Sequence, residues 1–265
     1  MKQLKKFFLS LPYYLWIALF VLIPIGLIFI YSFQDVSGHL TFKNYVTFFT
    51  TPTYLIMAAN SIFFAFIITL ISLLISYPVA WVVNKFTRVK DLLILLIILP
   101  MWVNLLLKTY AFIGLLSRNG SINDLLAILG LGRGQFLFTD ASFVWVAVYV
   151  QLPFMILPLY NSITAINYSL INASYDLGAS KIQTFSRVII PLTMPGIKSG
   201  IQAIFIPSLS LFMITRLIGG NRVITLGTAI EEHFLSTMNW GMGSTIGVVL
   251  IMAMILIMVI TRGAK

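Results

Sequence analysis

Six long apolar runs, separated by short polar stretches, leave this chain few ways to fold. They are Leu11–Ser32, Ile56–Val83, Leu92–Leu116, Ala141–Ile166, Gly196–Ile214 and Met242–Ile260. A helix needs about 20 such residues to cross the hydrocarbon core of a bilayer. There its backbone must satisfy its own hydrogen bonds, which a helix does. A charge at the centre of such a helix costs about 2.5–3.5 kcal/mol on insertion scales. Only Lys108 and Lys198 fall inside these limits, both toward an end. The first run follows Lys2, Lys5 and Lys6, but it exceeds the ~7–15 apolar residues of a secretory signal and no small-residue cleavage site follows. The sequence therefore predicts an all-α, polytopic membrane protein with an uncleaved first span and six transmembrane helices, a single domain over residues 1–265.

Orientation follows from Lys and Arg, which accumulate in cytoplasmic loops. Lys2, Lys5, Lys6, Lys85, Arg88, Lys90, Lys181, Arg187, Lys198, Arg262 and Lys265 fall on one side, against Lys43, Arg118, Arg133 and Arg222 on the other. Both termini are thus expected in the cytoplasm, with the chain multi-pass in a bacterial inner membrane. The net charge of +10 is then a consequence of topology and gives no support to a nucleic-acid partner. The chain has no cysteine, and His39 and His233 stand far apart in sequence, so neither a zinc site nor a Ser/His/Asp arrangement is indicated.

The polar residues within the runs are largely amides and aromatics. Trp102, Asn104, Tyr110, Tyr149, Gln151, Tyr160 and Asn161 are candidates for lining a path for a polar solute. Single residues of this kind more often bridge helices or sit in interfacial belts. Prolines 12, 24, 78, 100, 153, 158 and 207 are expected to kink their spans. Gly196-x-x-x-Gly200 and Gly243-x-x-x-Gly247 allow helices to approach closely. No acid lies in any span, which disfavours the carboxylate chemistry of many ion-coupled carriers. No Walker A sequence is present, so ATP is not expected to bind by that route. A short helix over Ser121–Leu129, ended by Gly130, is expected on the outer side.

One cytoplasmic stretch, residues 168–195, is long enough to form structure of its own. It reads as two short helices around Gly178, the first capped by Asn172 and ended by Gly178 in the left-handed conformation. Ser180 and Gln183 form a capping box for the second. Ile182, Phe185 and Ile189 make its apolar stripe, Pro191 ends it, and Pro195 opens the next span.

These residues resemble the EAA loop of ABC importer permeases, of pattern E-A-A-x3-G-x9-I-x-L-P. Ala173, Gly178 and Pro191 match, Ser174, Val188 and Ile190 are close substitutes, and Asn172 stands where the family has Glu. The stretches Leu99–Ala111, Leu152–Ser162 and Asp176–Phe185 resemble the PotB-type permeases of spermidine/putrescine importers. The resemblance implies a type I (MetI-like) permease fold with no ATPase site or cofactor of its own, ATP and Mg residing on a partner. It implies a PotC-like second permease, two PotA-like ATPases, a PotD-like extracytoplasmic binding protein and a polyamine substrate. Asn172, Ala173, Ser174, Tyr175, Asp176, Leu177, Gly178, Ala179, Ser180 and Lys181 would form the helix that docks on the ATPase. An importer of another solute (oxyanion, iron, thiamine) and a secondary carrier remain the alternatives.

Overall fold

The computed structural model describes residues 2–86 and 88–261. Arg262 and Lys265, counted above on the basic side, lie outside them. Helices α1 (Ser10–Ser32), α2 (Lys43–Thr50), α3 (Pro52–Lys85), α4 (Lys90–Trp102), α5 (Leu105–Leu116), α6 (Ser121–Ile128), α7 (Asp140–Thr164), α8 (Tyr168–Asp176), α9 (Lys181–Ser208), α10 (Leu226–Glu231) and α11 (Trp240–Thr261) follow in order. Among the described residues, α1, α3, α7, α9 and α11 are each long and apolar enough to cross a membrane.

Two of the expected spans differ from the sequence reading. The third is not one helix: α4 and the α5–α6 segment meet at an angle of 93°. Pro100 lies in the tight last turn of α4, Val103 is extended, and Asn104 restarts the chain by accepting Leu106 N–H on Oδ1 at 2.8 Å. A helix stop and an N-cap thus lie four residues apart inside one apolar run, and together they win over its uniform hydrophobicity. The fifth span starts and ends earlier than expected, because α9 runs from Lys181 straight through Pro191 and stops at Ser208. Proline has no N–H to donate and crowds the preceding turn. The helix absorbs it with a wide turn at Phe185–Ile189, in which Ile190 N–H bonds Phe185 O, five residues back. Pro191 therefore does not end the loop helix, and Pro195 sits inside α9.

The chain divides into two compact units. One comprises residues 1–58 and 229–255. Its α1–α2 connection is a hairpin-like turn with Gly38 at φ +84°, where Ser37 and His39 N–H groups bond Asp35 Oδ1. These bonds, His39's first, hold the Asp35 carboxyl below its ordinary pKa. Thr245 Oγ1 donates to Ser32 O at 2.9 Å, and Asn44 Nδ2 donates to Gln34 O at 2.8 Å. A Cβ on Gly241 would collide with Gln34 O, so α11 can close on this turn only with glycine there.

In the same unit Tyr54 OH lies 2.9 Å from His233 Nε2, and Thr237 Oγ1 lies 3.2 Å from its Nδ1. Burial pushes the pKa of His233 below its ordinary 6.5, with the Glu232 charge opposing. The folded chain thus binds this proton less readily than the unfolded chain. The resulting stability is complete above about pH 6.5 and is lost as the pH falls below it. Thermal unfolding of the purified protein between pH 8 and 5 should show a falling midpoint at the acid end. His233→Gln should flatten that fall; an unchanged slope would exclude His233 as its source.

The second unit comprises residues 59–228 and 256–265. Its core is built around α7, with Phe143, Val146, Met155, Leu159 and Ile163 buried together with Phe64 and Ile68 of α3 and Ile204 of α9. Tight packing of α7 on α9 requires glycine at 196, where a Cβ would strike Pro158 O and Ser162 Oγ; at Gly200 a Cβ would meet chiefly the movable Met155 Sδ. The close approach expected of this glycine pair is therefore present. Gln151, only 4% exposed, donates to Ser208 Oγ across the same interface at 3.0 Å.

Candidate coupling surface and membrane break

The loop between α7 and α9 is a small folded element held from both sides. Its first helix begins at Asn167, whose Oδ1 accepts Ser169 N–H at 3.1 Å. Asn172, the expected cap, lies exposed in the middle of α8 instead. The chain turns extended at residue 167, immediately after the buried Ile166, and so places its cap there. Ile166 and Ile171, on either side of that cap, are buried in one cluster with Ile189, an arrangement that fixes the angle at which the chain enters α8. An Asn directly after the last apolar residue of a span was the available signal.

The end of α8 is as expected. Gly178 has φ +82°, its N–H bonds Tyr175 O at 2.9 Å, and Ala179 N–H bonds Ser174 O at 3.0 Å. This pair of bonds closes a helix through a left-handed residue and uses two carbonyls that would otherwise lack partners. Ser180 then caps α9 reciprocally: Ser180 N–H donates to Gln183 Oε1 at 2.8 Å and Gln183 N–H to Ser180 Oγ at 3.3 Å. The two helices are tied to each other by Ser174 Oγ and Thr184 Oγ1, 2.8 Å apart. They are tied to the Lys85 end of α3 through Asn84, which accepts from Thr164 Oγ1 at 3.1 Å and donates to Tyr168 OH at 3.3 Å. Tyr77 of α3 adds an edge-on contact with Phe185 and a 2.9 Å bond to Thr193 Oγ1.

What this element presents outward is specific. Leu177 is 88% exposed and Ile182 80% exposed, with Tyr175, Asn172, Ala173, Asp176, Gly178, Ser180 and Lys181 also at the surface. Ser174 and Ala179 are partly buried, Ser174 turned toward Thr184. The apolar stripe read along the second helix does not hold together: Ile189 is buried, Phe185 leans on Tyr77, and Ile182 faces outward. The wide turn at Phe185–Ile189 changes the angular register between them. The result is a rigid base with an unpartnered apolar tip flanked by one acid and one lysine.

The other notable feature is the α4–α5 break. Non-helical backbone at membrane depth is tolerated only where protein covers it or where it lines a water-filled cavity. Here Trp102 is 78% exposed, with Val103 and Asn104 also exposed, so these residues of the break lie open among the described residues. Of the other candidates for a path, Tyr110 is exposed and Tyr149 meets Phe112 edge-on at 5.0 Å. Tyr160 is half-buried, and Asn161 lines a cleft of about 340 Å³ with Pro158, Ser162, Pro195, Gly196 and Ser199. Gln151, in contrast, is spent inside the α7–α9 interface. The seven residues therefore do not share one surface. Lys108 was missed by the sequence reading: its Nζ donates across the break to Pro100 O at 3.2 Å.

Among the described residues this is a helical membrane chain with a glycine-ended, doubly capped loop between two of its spans, and the comparisons with known proteins give its class: a permease. Residues 70–264 match the binding-protein-dependent transport system inner membrane component family, and the chain belongs to that family. It is 37% identical over 254 residues to the spermidine/putrescine transport system permease protein PotB of Escherichia coli (strain K12), with 92% of each chain covered. The same protein from Haemophilus influenzae is also 37% identical over 252 residues, covering 91% of this chain and 88% of that one. The inner membrane ABC transporter permease protein YdcU of Escherichia coli is 32% identical over 216 residues, 71% and 66% of the two chains. Among solved structures, a bacterial ABC transporter involved in the import of the acidic polysaccharide alginate superimposes with a TM-score of 0.81 at 18% identity. The match covers 98% of this chain and 97% of that one. The same kind of transporter in complex with an alginate pentasaccharide-bound periplasmic protein gives 0.82, also at 18% identity, over 98% and 95%. The permease fold and the PotB-type resemblance expected from the sequence are both borne out.

Proposed function

We propose that this chain is one permease half of an ATP-driven polyamine importer and passes spermidine or putrescine inward. The observation that carries the reading is its likeness to PotB along 92% of both chains. The intramembrane chemistry supports it. A polycation is attracted by aromatic faces and amide oxygens, and the six apolar runs hold no carboxylate to trap it, Asp91 and Asp140 lying in the first turns of α4 and α7.

In this reading the basic loops and both termini face the cytoplasm. The Tyr175, Leu177 and Ile182 tip of the α8–α9 loop enters a groove on a separate PotA-like ATPase, which binds ATP and Mg. Asp176 and Lys181 pair across the rim of that contact. A PotC-like permease covers the exposed α4–α5 break and completes the path. A PotD-like binding protein delivers solute on the opposite face, where α6 is presented. ATP binding draws the two ATPases together, the loop helices move with them, and the spans they carry alternate their opening.

The test is ATP hydrolysis by the reconstituted complex with its binding protein. Spermidine-loaded or putrescine-loaded binding protein should raise the rate above that with unloaded protein. Stimulation by another solute with none from either polyamine overturns the substrate. Uptake without any ATPase overturns the class of transport.

A further inference from the structure

Between α5 and α7 the chain folds back on itself around a cavity of about 370 Å³, whose polar lining is Ser117, Arg118, Arg133 and Gln135, with no acid in the wall. One buried side chain fixes this shape. Asn123 of α6 is fully buried; its Nδ2 donates to Ser117 O and to Gly134 O, each at 3.0 Å, and its Oδ1 accepts Gly134 N–H at 2.8 Å. Gly130 and Gly132, each at φ +75°, turn the chain from α6 back toward that anchor. The sequence neighbours of the two anchored residues, Arg118 and Arg133, are thereby brought to one cavity. Arg133 is held further by Asp124 Oδ1 at 2.7 Å and by Asn119 Oδ1 at 3.3 Å. Arg118 is exposed and, among the described residues, has no acidic or hydrogen-bonding partner, so its charge is uncompensated. The cavity lies where spans end, with α5 stopping at Leu116 and α7 starting at Asp140. Beside it α6 exposes Ile122, Leu125 and Leu129 at helical spacing, and Ile128 and Leu131 are 81% and 73% exposed.

We propose that this cavity holds an anionic phospholipid of the leaflet at the far end of α7 from the α8–α9 loop, its phosphodiester at Arg118 and Arg133 and its acyl chains along the apolar face of α6. A guanidinium presents paired N–H donors that match two oxygens of one phosphate, and the pairing strengthens where hydrocarbon displaces water. An anionic lipid satisfies both halves of the surface at once. A free anion would neutralise Arg118 and leave the α6 stripe bare, and a zwitterionic headgroup would bring an ammonium toward the uncompensated guanidinium. The exposed stripe is of the kind that settles at the boundary of headgroup and acyl chain, where lipid is the standing neighbour. Once bound, the lipid tethers Arg118, the wall residue that the chain itself leaves loose, and so stiffens the α5–α7 connection. The site does not rest on the polyamine function proposed above.

The test uses the full chain purified with its partner subunits in a neutral detergent and is read as a melting temperature, without transport. Dioleoylphosphatidylglycerol should raise the midpoint by about 2–4 °C, and dioleoylphosphatidylcholine should not. Arg118→Gln breaks no bond within the chain and should lose most of the rise, whereas Lys43→Gln, which removes a positive charge outside this connection, should keep it. Arg118→Lys should keep part of it, as a point charge without the paired donors; if Arg118→Gln yields no folded complex, the reduced rise in Arg118→Lys against the full rise in Lys43→Gln decides. An equal rise in Arg118→Gln and wild type, or with both lipids, overturns the site. A rise reproduced by sodium phosphate, measured against sodium chloride at equal ionic strength, assigns the cavity to a free anion and overturns the lipid. If Arg118→Gln keeps the phosphatidylglycerol response and instead loses stimulation of the ATPase by the binding protein, the cavity receives an acidic side chain of that protein and the proposal is likewise overturned. The melting shifts involve no polyamine, so a failure to import spermidine or putrescine overturns the substrate alone.

Discussion

Gly196→Leu is expected to prevent the chain from accumulating as a folded membrane protein, the largest single-site loss of stability foreseen for it. The helices α7 and α9 meet backbone to side chain at this point, and even a Cβ would overlap Pro158 O and Ser162 Oγ. One obstacle is main chain and cannot swing away. Forcing volume into a packed interface costs about 1–3 kcal/mol and occasionally more, and a fixed carbonyl puts this site at the upper end. Gly200, one turn along, gives the internal control. Its added Cβ would meet chiefly the sulfur of Met155, the far end of an adaptable side chain. The expected order of damage is Gly196→Leu, then Gly196→Ala, then a mild Gly200→Ala. Yield and melting temperature in detergent measure it. Gly200→Ala as harmful as Gly196→Ala would show that the two helices do not meet as described.

This asymmetry between neighbouring glycines was not legible in the sequence, and the reason is general to the chain. Hydropathy located the spans because the bilayer imposes length and polarity. It gave no direction to their faces, since a helix such as α11 is apolar all round and carries no periodic mark of what it packs against. Amides were ambiguous for the same reason. Gln151 and Asn161 looked alike as path residues, yet one is buried against Ser208 and the other opens on a cleft.

Where polar backbone chemistry sets the structure, the sequence was far more informative. Gly178 and the Ser180/Gln183 capping box are found as read, because capping depends on a few adjacent residues. The errors there came from competition between signals. Asn167 took the cap expected of Asn172, and the wide turn at Phe185–Ile189 carried the helix past Pro191. The α4–α5 break was foreshadowed by Pro100 and Asn104 within one apolar run, but proline alone predicts a kink, and only the N-cap turns it into a corner.

Gly178→Val should break the link between ATP hydrolysis and uptake while leaving the protein folded. Gly178 has φ +82°, and a Cβ there would touch nothing within 4 Å, so the cost is confined to the backbone. A β-branched residue in the left-handed region is strained by about 1–3 kcal/mol. The chain relieves it by giving up the bonds Ala179 N–H to Ser174 O and Gly178 N–H to Tyr175 O, which set the angle between α8 and α9. The strain would lower the population of the docking-competent loop about 5- to 150-fold. ATP consumed per polyamine imported should rise accordingly, with complex yield and melting temperature near wild type. Gly178→Asn should retain most coupling, because asparagine enters the left-handed region at small cost. The Asn variant separates a backbone effect from simple loss of glycine. If Gly178→Val imported with unchanged ATP stoichiometry, the proposed docking role of the loop would be wrong, however well the loop is built.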